Sequence, residues 1–282
     1  MTCVSNFSGL STAPFIFSSR TPRPVSDEQA FEAIKAGIDA LPDGVLNSGM
    51  FLGIPSRRIV MNRILHFRRI EKTFLSVKSE TSASGPDGSL GGLRRSVVNI
   101  QDELGSIKKL DLFEPARIET QNSRAIANTL RKAHSVIYPV TAAKIEVSPW
   151  AYDESQKAVI AIATELSISV LAHSPLGQGF LTGQIKSPAN IPEGDMRSKY
   201  DWFKEESFNK NLAIVNRLKG IAMEEKVTAA AQLCIAWAAS LGPTMIPLPG
   251  LSKASRTLEN LKAGDIQLTQ KVKKAVEEVI SI

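Results

Sequence analysis

The sequence has few of the side chains that build disulfide frameworks or metal centres. Its only cysteines are Cys3 and Cys234, too few for a disulfide framework and without the paired spacing of a zinc site. The three histidines show no close pairing either. Scarce cysteine argues for a reducing compartment, so we expect a cytoplasmic protein without a bound metal.

Long apolar runs and internal boundaries are also missing. No stretch of about 18 apolar residues occurs, so the sequence predicts no transmembrane helix. No repeat, charge run or linker rich in proline and glycine divides the 282 residues. We therefore expect one domain.

Acidic residues are absent from the first 24 positions, where several serines accompany Arg20 and Arg23. This bias faintly resembles an organelle transit peptide, but a frayed N-terminus or a degenerate first strand is the simpler interpretation. We expect residues 1–22 to be a degenerate or flexible N-terminus, and targeting stays open.

The excess of positive charge is small. The 34 Lys and Arg against 28 Asp and Glu give +6, which favours anionic ligands without requiring nucleic acid. Arginines at 57–69 surround apolar residues at helical spacing, which is typical of a peripheral helix, with a nucleic-acid or membrane surface as the alternative. We expect a small-molecule partner, no nucleic acid and no membrane, and the oligomeric state is open.

Strand-like and helix-like segments alternate along the chain. Apolar, β-branched runs lie at 45–47, 73–77, 110–113, 142–147, 168–172 and 244–248. Helical patterns lie at 27–40, with Ser26 as a cap candidate, and at 93–104, 124–134, 155–166, 209–225, 229–241 and 271–280. The alternation predicts the α/β class with a parallel sheet, either closed as a barrel or open and doubly wound.

Residues 244–260 are the most informative segment, because a strand runs into a glycine turn and then a helix. The sequence TMIPLPGLSKASRTLEN places Lys253 and Arg256 one helical turn apart beside the first amides of that helix. Helix-start amides and nearby cations bind phosphate well. An ordinary capped helix with a solvated cationic face fits the spacing equally well.

A second glycine cluster, SPLGQGFLTG at 174–183, follows the strand at 168–172. Its Gly177-x-Gly179 resembles a dinucleotide fingerprint, but the third glycine comes one residue late and no helix pattern begins at once. A flexible loop over a bound ligand fits the cluster better.

Together the two segments resemble the aldo-keto reductases, in which SPLGxGxLTG is followed later by IPxPGxxKxxRxxEN. The segments LNSG at 46–49, FLSVK at 74–78 and DLFEPAR at 111–117 also resemble this family. These three segments are most similar to the fungal pyridoxal-reductase branch. The resemblance extends with gaps from about Arg23 to Ala263. We expect a single aldo-keto-reductase-like domain over residues 23–282.

The resemblance implies a (β/α)8 barrel of the TIM type that binds NADP(H) at the carboxyl ends of its strands. The positions that match the family's clamp for adenine and the 2′-phosphate are Ser252, Lys253, Arg256, Glu259 and Asn260. Those that match its pyrophosphate loop are Ser174, Leu176 and Gly177. Because the clamp keeps its cations, the resemblance implies a preference for NADP over NAD.

The catalytic positions depart from the family pattern, which supplies a proton from a Tyr whose pKa is lowered by a Lys paired with an Asp. Lys78 matches that Lys, whereas Asn47 stands for the acid and Leu52 for the Tyr, and Ala116 stands where a His is usual. Lys78 and Asn47 are therefore the catalytic candidates. Without an acid at position 47, a buried Lys78 should have a lowered pKa and could act as a weak acid.

Two further departures lie at the nicotinamide end, where Lys144 replaces a Gln and His173 replaces an aromatic ring. A histidine can still stack and donate a proton. Between Arg117 and Lys132 the family has one βα unit more than this sequence provides. We therefore expect an incomplete barrel whose neighbouring edges are unpaired or covered by a loop.

Three functions are consistent with these features. The first is an NADP(H)-dependent oxidoreductase that reduces small, pyridoxal-like aldehydes or ketones by hydride transfer. The second is a catalytically impaired nucleotide-binding protein or a degenerate non-enzymatic copy, which Leu52 favours because Leu has no proton to give. The third, an interaction protein with a basic helix, depends on the arginines at 57–69 alone.

Overall fold

Strands and helices alternate along the chain, as the sequence predicts. The computed structural model describes residues 9–11, 26–41, 45–48, 74–78, 81–82, 85–86, 95, 98–99, 102, 112–114, 142–250 and 252–280. The architecture of this part of the chain is α/β with parallel strands.

The N-terminal half contributes short strands to a parallel sheet. The strands described in this half of the chain are, in order, β1 (Gly9–Ser11), β2 (Val45–Ser48), β3 (Phe74–Lys78), β4 (Thr81–Ser82), β5 (Gly85–Pro86) and β6 (Leu112–Glu114). Strands β1, β2, β3 and β6 pair side by side in that order, whereas β4 and β5 form a small antiparallel hairpin. Leu46 and Leu75 lie opposite each other in this sheet and are buried.

The C-terminal half contributes a second parallel sheet. It consists of β7 (Ala142–Glu146), β8 (Ser169–His173) and β9 (Met245–Leu248), paired in that order. Strand β9 also lies next to β1. The last strand of the chain therefore meets the first, which is the neighbourhood that a closed α/β barrel requires.

Side chains cap the starts of two α-helices, α1 (Asp27–Ala40) and α2 (Glu154–Glu165). The other α-helices that the structure describes over their full length are α3 (Glu205–Glu224), α4 (Ala230–Ala239), α5 (Ala254–Leu261) and α6 (Gln270–Ile280). The Ser26 hydroxyl accepts from the backbone N–H of Gln29 at the start of α1. At the start of α2, Asp153 accepts from Ser155 in a capping box, and this hydrogen bonding lowers the pKa of the Asp153 carboxyl.

The main core lies between the second sheet and the helices α2, α3, α4 and α6. Val170 and Ala172 of β8 pack there with Trp237 of α4. Helix α4 is buried on nearly all sides, which explains why its sequence is apolar all round. Burial raises the pKa of the Cys234 thiol in α4 to about 12, so this thiol stays protonated at neutral pH and is chemically inert.

Helix α1 docks against helix α5 through hydrogen bonds that join distant parts of the chain. The Gln29 side-chain amide donates to the Ser252 carbonyl at 2.6 Å, across 223 positions. The buried Thr257 hydroxyl lies 3.1 Å from the Ala33 carbonyl and 3.2 Å from the Lys253 carbonyl, so its single hydrogen serves one acceptor at a time. The start of α5 is thereby attached to the N-terminal half.

The structure confirms the predicted helix at 27–40 to the residue. Helix α3 begins at Glu205, four residues before its predicted start. The prediction began too late because the first turn, before the buried Phe208, is polar and shows no helical period of apolar residues. The helices expected at 93–104 and 124–134 fall largely or wholly outside the described residues, as does the βα unit expected to be missing between Arg117 and Lys132. In the described part, no helix is long and apolar enough to cross a membrane.

The docking contact predicts that Thr257→Val lowers the free energy of unfolding by about 0.5–1.5 kcal/mol, the net value of one lost hydrogen bond. The measurement is urea unfolding of parent and variant. Thr164→Val is the matched control. The exposed Thr164 hydroxyl also donates to a carbonyl four residues earlier in its own helix, but among the described residues it makes no hydrogen bond to another helix. Equal losses for the two variants would contradict the docking role.

Candidate functional site

A glycine-rich loop follows β8 at the carboxyl end of the second sheet. Ser174, Gly177, Gln178 and Gly179 have φ angles of 54°, 52°, 55° and 95°, and Gly183, at 68°, ends the short 3-10 helix Gly177–Thr182. Residues with a side chain rarely adopt these left-handed angles. The glycines therefore let the chain coil tightly against the end of the strand.

Two glycines of this loop differ in the space beside their α-carbons. A β-carbon built on Gly177 would lie 2.8 Å from Cε3 of Trp150, so the indole ring closes that side. A β-carbon built on Gly179 would lie 3.8 Å from Nη1 of Arg197, an ordinary contact distance. The loop therefore packs against an aromatic ring at one glycine and lies beside a guanidinium at the other.

A buried carboxylate holds Arg197 in this position. Asp195 is 1% exposed, and it accepts from Nε of Arg197 at 3.1 Å and from Nη2 at 2.7 Å. Such a bidentate pair fixes the plane of the guanidinium. Arg197 is not among the residues predicted from the sequence. Its only signal there is the Asp195-x-Arg197 spacing at a short helical turn after the glycine cluster.

Helix α5 presents two cations at its first turn. Lys253 is the N-cap residue, and among the described residues no side chain caps this helix. Lys253 and Arg256 are both exposed. The positive end of the helix dipole and two cationic side chains thus share one surface, which suits an anion.

The cationic helix start and the glycine loop meet, although 72 positions separate the contacting residues. Nη2 of Arg256 donates to Oε1 of Gln184 at 2.7 Å, and Nη1 lies 3.4 Å from the Ser252 hydroxyl. Gln184 directly follows Gly183, the last residue of the glycine cluster. The structure therefore brings the two sequence motifs together into one surface.

The other residues assigned to this surface lie along α5 or in the loop. Glu259 is exposed, and its carbonyl accepts from the Gln232 side chain of α4 at 2.9 Å. Asn260 is 8% exposed. In the loop, the Ser174 hydroxyl lies 3.2 Å from Nδ1 of His173, and the half-buried Leu176 packs against the main core.

The two catalytic candidates lie on neighbouring strands of the first sheet. The β3 partner of Asn47 lies two residues before Lys78, so both positions belong to one face of the sheet near the carboxyl ends of the strands. Lys78 is also directly opposite Glu114 of β6 in the strand register, a pairing that the sequence does not predict. Leu52 and Ala116 lie outside the described residues.

Lys144 and His173 lie on the sheet face that is turned away from the main core. Ala143 and Ile145 pack against that core, and side chains alternate along a strand. His173 ends β8 and is opposite Glu146 of β7. It therefore lies at the same end of the sheet as the glycine loop. Among the described residues, no group of His, Cys, Asp or Glu could hold a metal ion.

The contact at Gly177 predicts that Gly177→Ala destabilises the fold. The left-handed angle costs about 1–2 kcal/mol for a residue with a β-carbon, and the new methyl would press on Trp150. Gly220→Ala is the control, because a β-carbon there meets nothing within 4 Å and alanine favours a helix by roughly 0.5–1 kcal/mol. Thermal unfolding should separate the two variants in opposite directions; an unchanged Gly177→Ala protein would contradict the close packing.

Comparison with known proteins agrees with this architecture. The model of the Aldo/keto reductase family matches residues 122–281, more than half of the chain. The chain is 34% identical over 182 residues to the aldo-keto reductase yakc [NADP(+)] of Schizosaccharomyces pombe, covering 64% of this chain and 52% of that protein. It is 37% identical over 159 residues to the aldo-keto reductase str7 of Strobilurus tenacellus, covering 56% and 47%. The chain thus spans about half the length of these curated relatives.

Solved structures show the same fold. A glycerol dehydrogenase, AKR11B4 from Gluconobacter oxydans, superposes with a TM-score of 0.73 at 17% identity, over 97% of this chain and 91% of that one. The thermostable aldo-keto reductase Tm1743 superposes with a TM-score of 0.66 at 18% identity, over 96% and 94%. The fold is therefore that of the TIM-type barrels predicted from the sequence. The family model matches more than half of the chain, and the barrel fold and the contact between the glycine loop and the start of α5 agree with it. The chain therefore belongs to the aldo-keto reductase family.

Proposed function

We propose that this protein binds NADP(H) and reduces small aldehydes or ketones by hydride transfer, with pyridoxal-like aldehydes as the first substrates to test. The contact between Arg256 and Gln184 carries the proposal, because it joins an anion-binding helix start to a glycine loop at the end of a barrel strand. The relative in Schizosaccharomyces pombe carries NADP(+) in its name, which supports the choice of cofactor.

The residues at the site suit a phosphorylated dinucleotide. Lys253 and Arg256 would pair with the 2′-phosphate, and the ion pairs of the described residues leave both cations uncommitted to a carboxylate. Arg197 beside Gly179 would pair with the pyrophosphate, whose approach is eased where the loop has no β-carbon.

Each end of the cofactor receives its own group of residues. We assign the adenine and 2′-phosphate end to Ser252, Lys253, Arg256, Glu259 and Asn260. We assign the pyrophosphate to Ser174, Leu176, Gly177 and Arg197. A cofactor with a 2′-phosphate gains two cationic contacts that NAD cannot make, so NADP should be preferred.

When bound, NADPH would supply the hydride that reduces the carbonyl carbon of the substrate. The protein must then donate a proton to the carbonyl oxygen. We assign this role to Lys78, because Leu52 has no proton to give, and we assign Asn47 to orienting it. Without an acid at position 47, a buried Lys78 would hold its proton less strongly and could donate it as a weak acid.

A nucleotide-binding protein without useful turnover is the second candidate. Leu52 and Asn47 favour it, because the loss of a general acid alone forfeits a factor of about 10²–10⁴ in rate. The cationic helix start and the glycine loop are retained, so binding would survive. Activity and binding are therefore tested separately.

The domain that carries this function, its partner and its location in the cell are also proposals. Residues 23–282 would act as one domain, and a small carbonyl compound would be the partner rather than nucleic acid or a membrane. The scarcity of cysteine supports a reducing, cytoplasmic location.

We expect NADPH to bind more tightly than NADH, and the double variant Lys253→Ala with Arg256→Ala to weaken NADPH by roughly 10- to 100-fold through lost charged hydrogen bonds. NADH should change little. The measurement is a fluorescence titration with each cofactor. Arg217→Ala with Lys271→Ala removes the same charge from exposed positions on other helices and serves as the control. Equal affinities of the parent for the two cofactors would overturn the assignment.

Steady-state NADPH oxidation with pyridoxal and with an aromatic aldehyde tests the proton donor. Parent activity should be weak and lost in Lys78→Met, and it should rise by about 10²–10⁴ when Leu52→Tyr and Asn47→Asp are combined. Parent turnover within the ordinary range of about 1–10³ s⁻¹ would show that another residue donates, with His173 the next candidate. No gain in the double variant, with NADPH binding intact, would favour the second candidate.

A further inference from the structure

The guanidinium of Arg256 is already bonded within the protein. Its two terminal nitrogens reach the Gln184 side-chain oxygen at 2.7 Å and the Ser252 hydroxyl at 3.4 Å. Both acceptors are neutral, and among the described residues no ion pair with a carboxylate includes Arg256. The cation is therefore hydrogen-bonded without being neutralised, and an anion would be the stronger partner.

The backbone that leads into Gln184 is held by two side chains. The Thr182 hydroxyl donates to the Gly179 carbonyl at 2.6 Å and accepts from the Gln184 N–H at 3.3 Å. The Lys219 ammonium donates to the Gly183 carbonyl at 3.3 Å. The side chain of Gln184 is exposed, so it can leave Arg256 while its backbone stays in place.

We propose that Gln184 is a selectivity residue that occupies Arg256 until a 2′-phosphate displaces it. The inference rests on the proposed function, in which Arg256 binds the 2′-phosphate of NADP(H). A dinucleotide without that phosphate leaves the bond between Gln184 and Arg256 intact. NADPH must break it, so the bond lowers the affinity for NADPH and spares the affinity for NADH.

The direction in which NADPH affinity changes when Gln184 is removed separates competition with the 2′-phosphate from a role in closing the loop over the cofactor. If Gln184 stayed on Arg256 and closed the loop over the bound cofactor, its removal would weaken the binding of both dinucleotides. If Gln184 competes with the 2′-phosphate, its removal strengthens NADPH binding alone. A residue that only supported the loop would not change the ratio of the two affinities in this direction.

The experiment measures dissociation constants of the parent, Gln184→Ala and Gln184→Glu for NADPH, NADH and adenosine 2′,5′-bisphosphate. Gln184→Ala should bind NADPH and the bisphosphate roughly two- to tenfold more tightly, the equivalent of one exposed hydrogen bond, and NADH should be unchanged. Gln184→Glu should weaken both 2′-phosphate ligands, because a carboxylate pairs more strongly with Arg256. Gln267→Ala, an exposed glutamine in the loop before α6, is the matched control and should match the parent.

Melting temperatures of all variants verify that they are folded. Unchanged or weaker NADPH binding by Gln184→Ala, in a parent that binds NADPH, overturns the competition and leaves the proposed function standing. Failure of parent and variants alike to bind any of the three ligands overturns the proposed function and this inference with it. Binding that becomes detectable only in Gln184→Ala supports both.

Discussion

The docking of α1 against α5 is the constraint on which the candidate site depends. Thr257 and Gln29 attach the first turn of α5 to a helix more than 200 positions earlier in the chain. Because that turn carries Lys253 and Arg256, its position decides whether the cations reach the glycine loop. Helix α1 therefore helps to position the candidate site although it provides none of its assigned residues, and the packing of a buried hydroxyl is tied to the placement of two cations.

The glycine loop shows how local strain and long-range packing cooperate. Successive left-handed residues would be unstable on their own. Here the Trp150 ring packs against Phe180 of the loop, the Lys219 ammonium donates to the Gly183 carbonyl, and Arg197 lies beside Gly179. Asp195 is nearly inaccessible to water and is stabilised by the guanidinium that it orients. The loop is thus shaped by its surroundings before any ligand arrives, which limits the ordering that binding has to supply.

Local signals in the sequence predicted the elements well and their pairing poorly. Helix α1 was predicted to the residue because Ser26 caps it and its apolar positions keep one period, and the barrel followed from resemblance in two motifs. Strand β1 was predicted only as a degenerate first strand or a frayed N-terminus, without bounds, because three residues carry too little periodicity. The approach of Gln184 to Arg256 and the register of Lys78 with Glu114 depend on tertiary packing, which no local pattern encodes.

The Lys219 side chain supports the glycine loop next to Gln184. Its terminal atoms fill the space in which a β-carbon of Gly183 would lie, and its ammonium holds the same residue's carbonyl. The Lys219 side chain therefore helps to hold the loop at this end. Release of Arg256 then needs only a rotamer change of an exposed glutamine, a picosecond-to-nanosecond event. In the proposed exchange of Gln184 for a phosphate, the glutamine side chain moves and the loop backbone keeps its place.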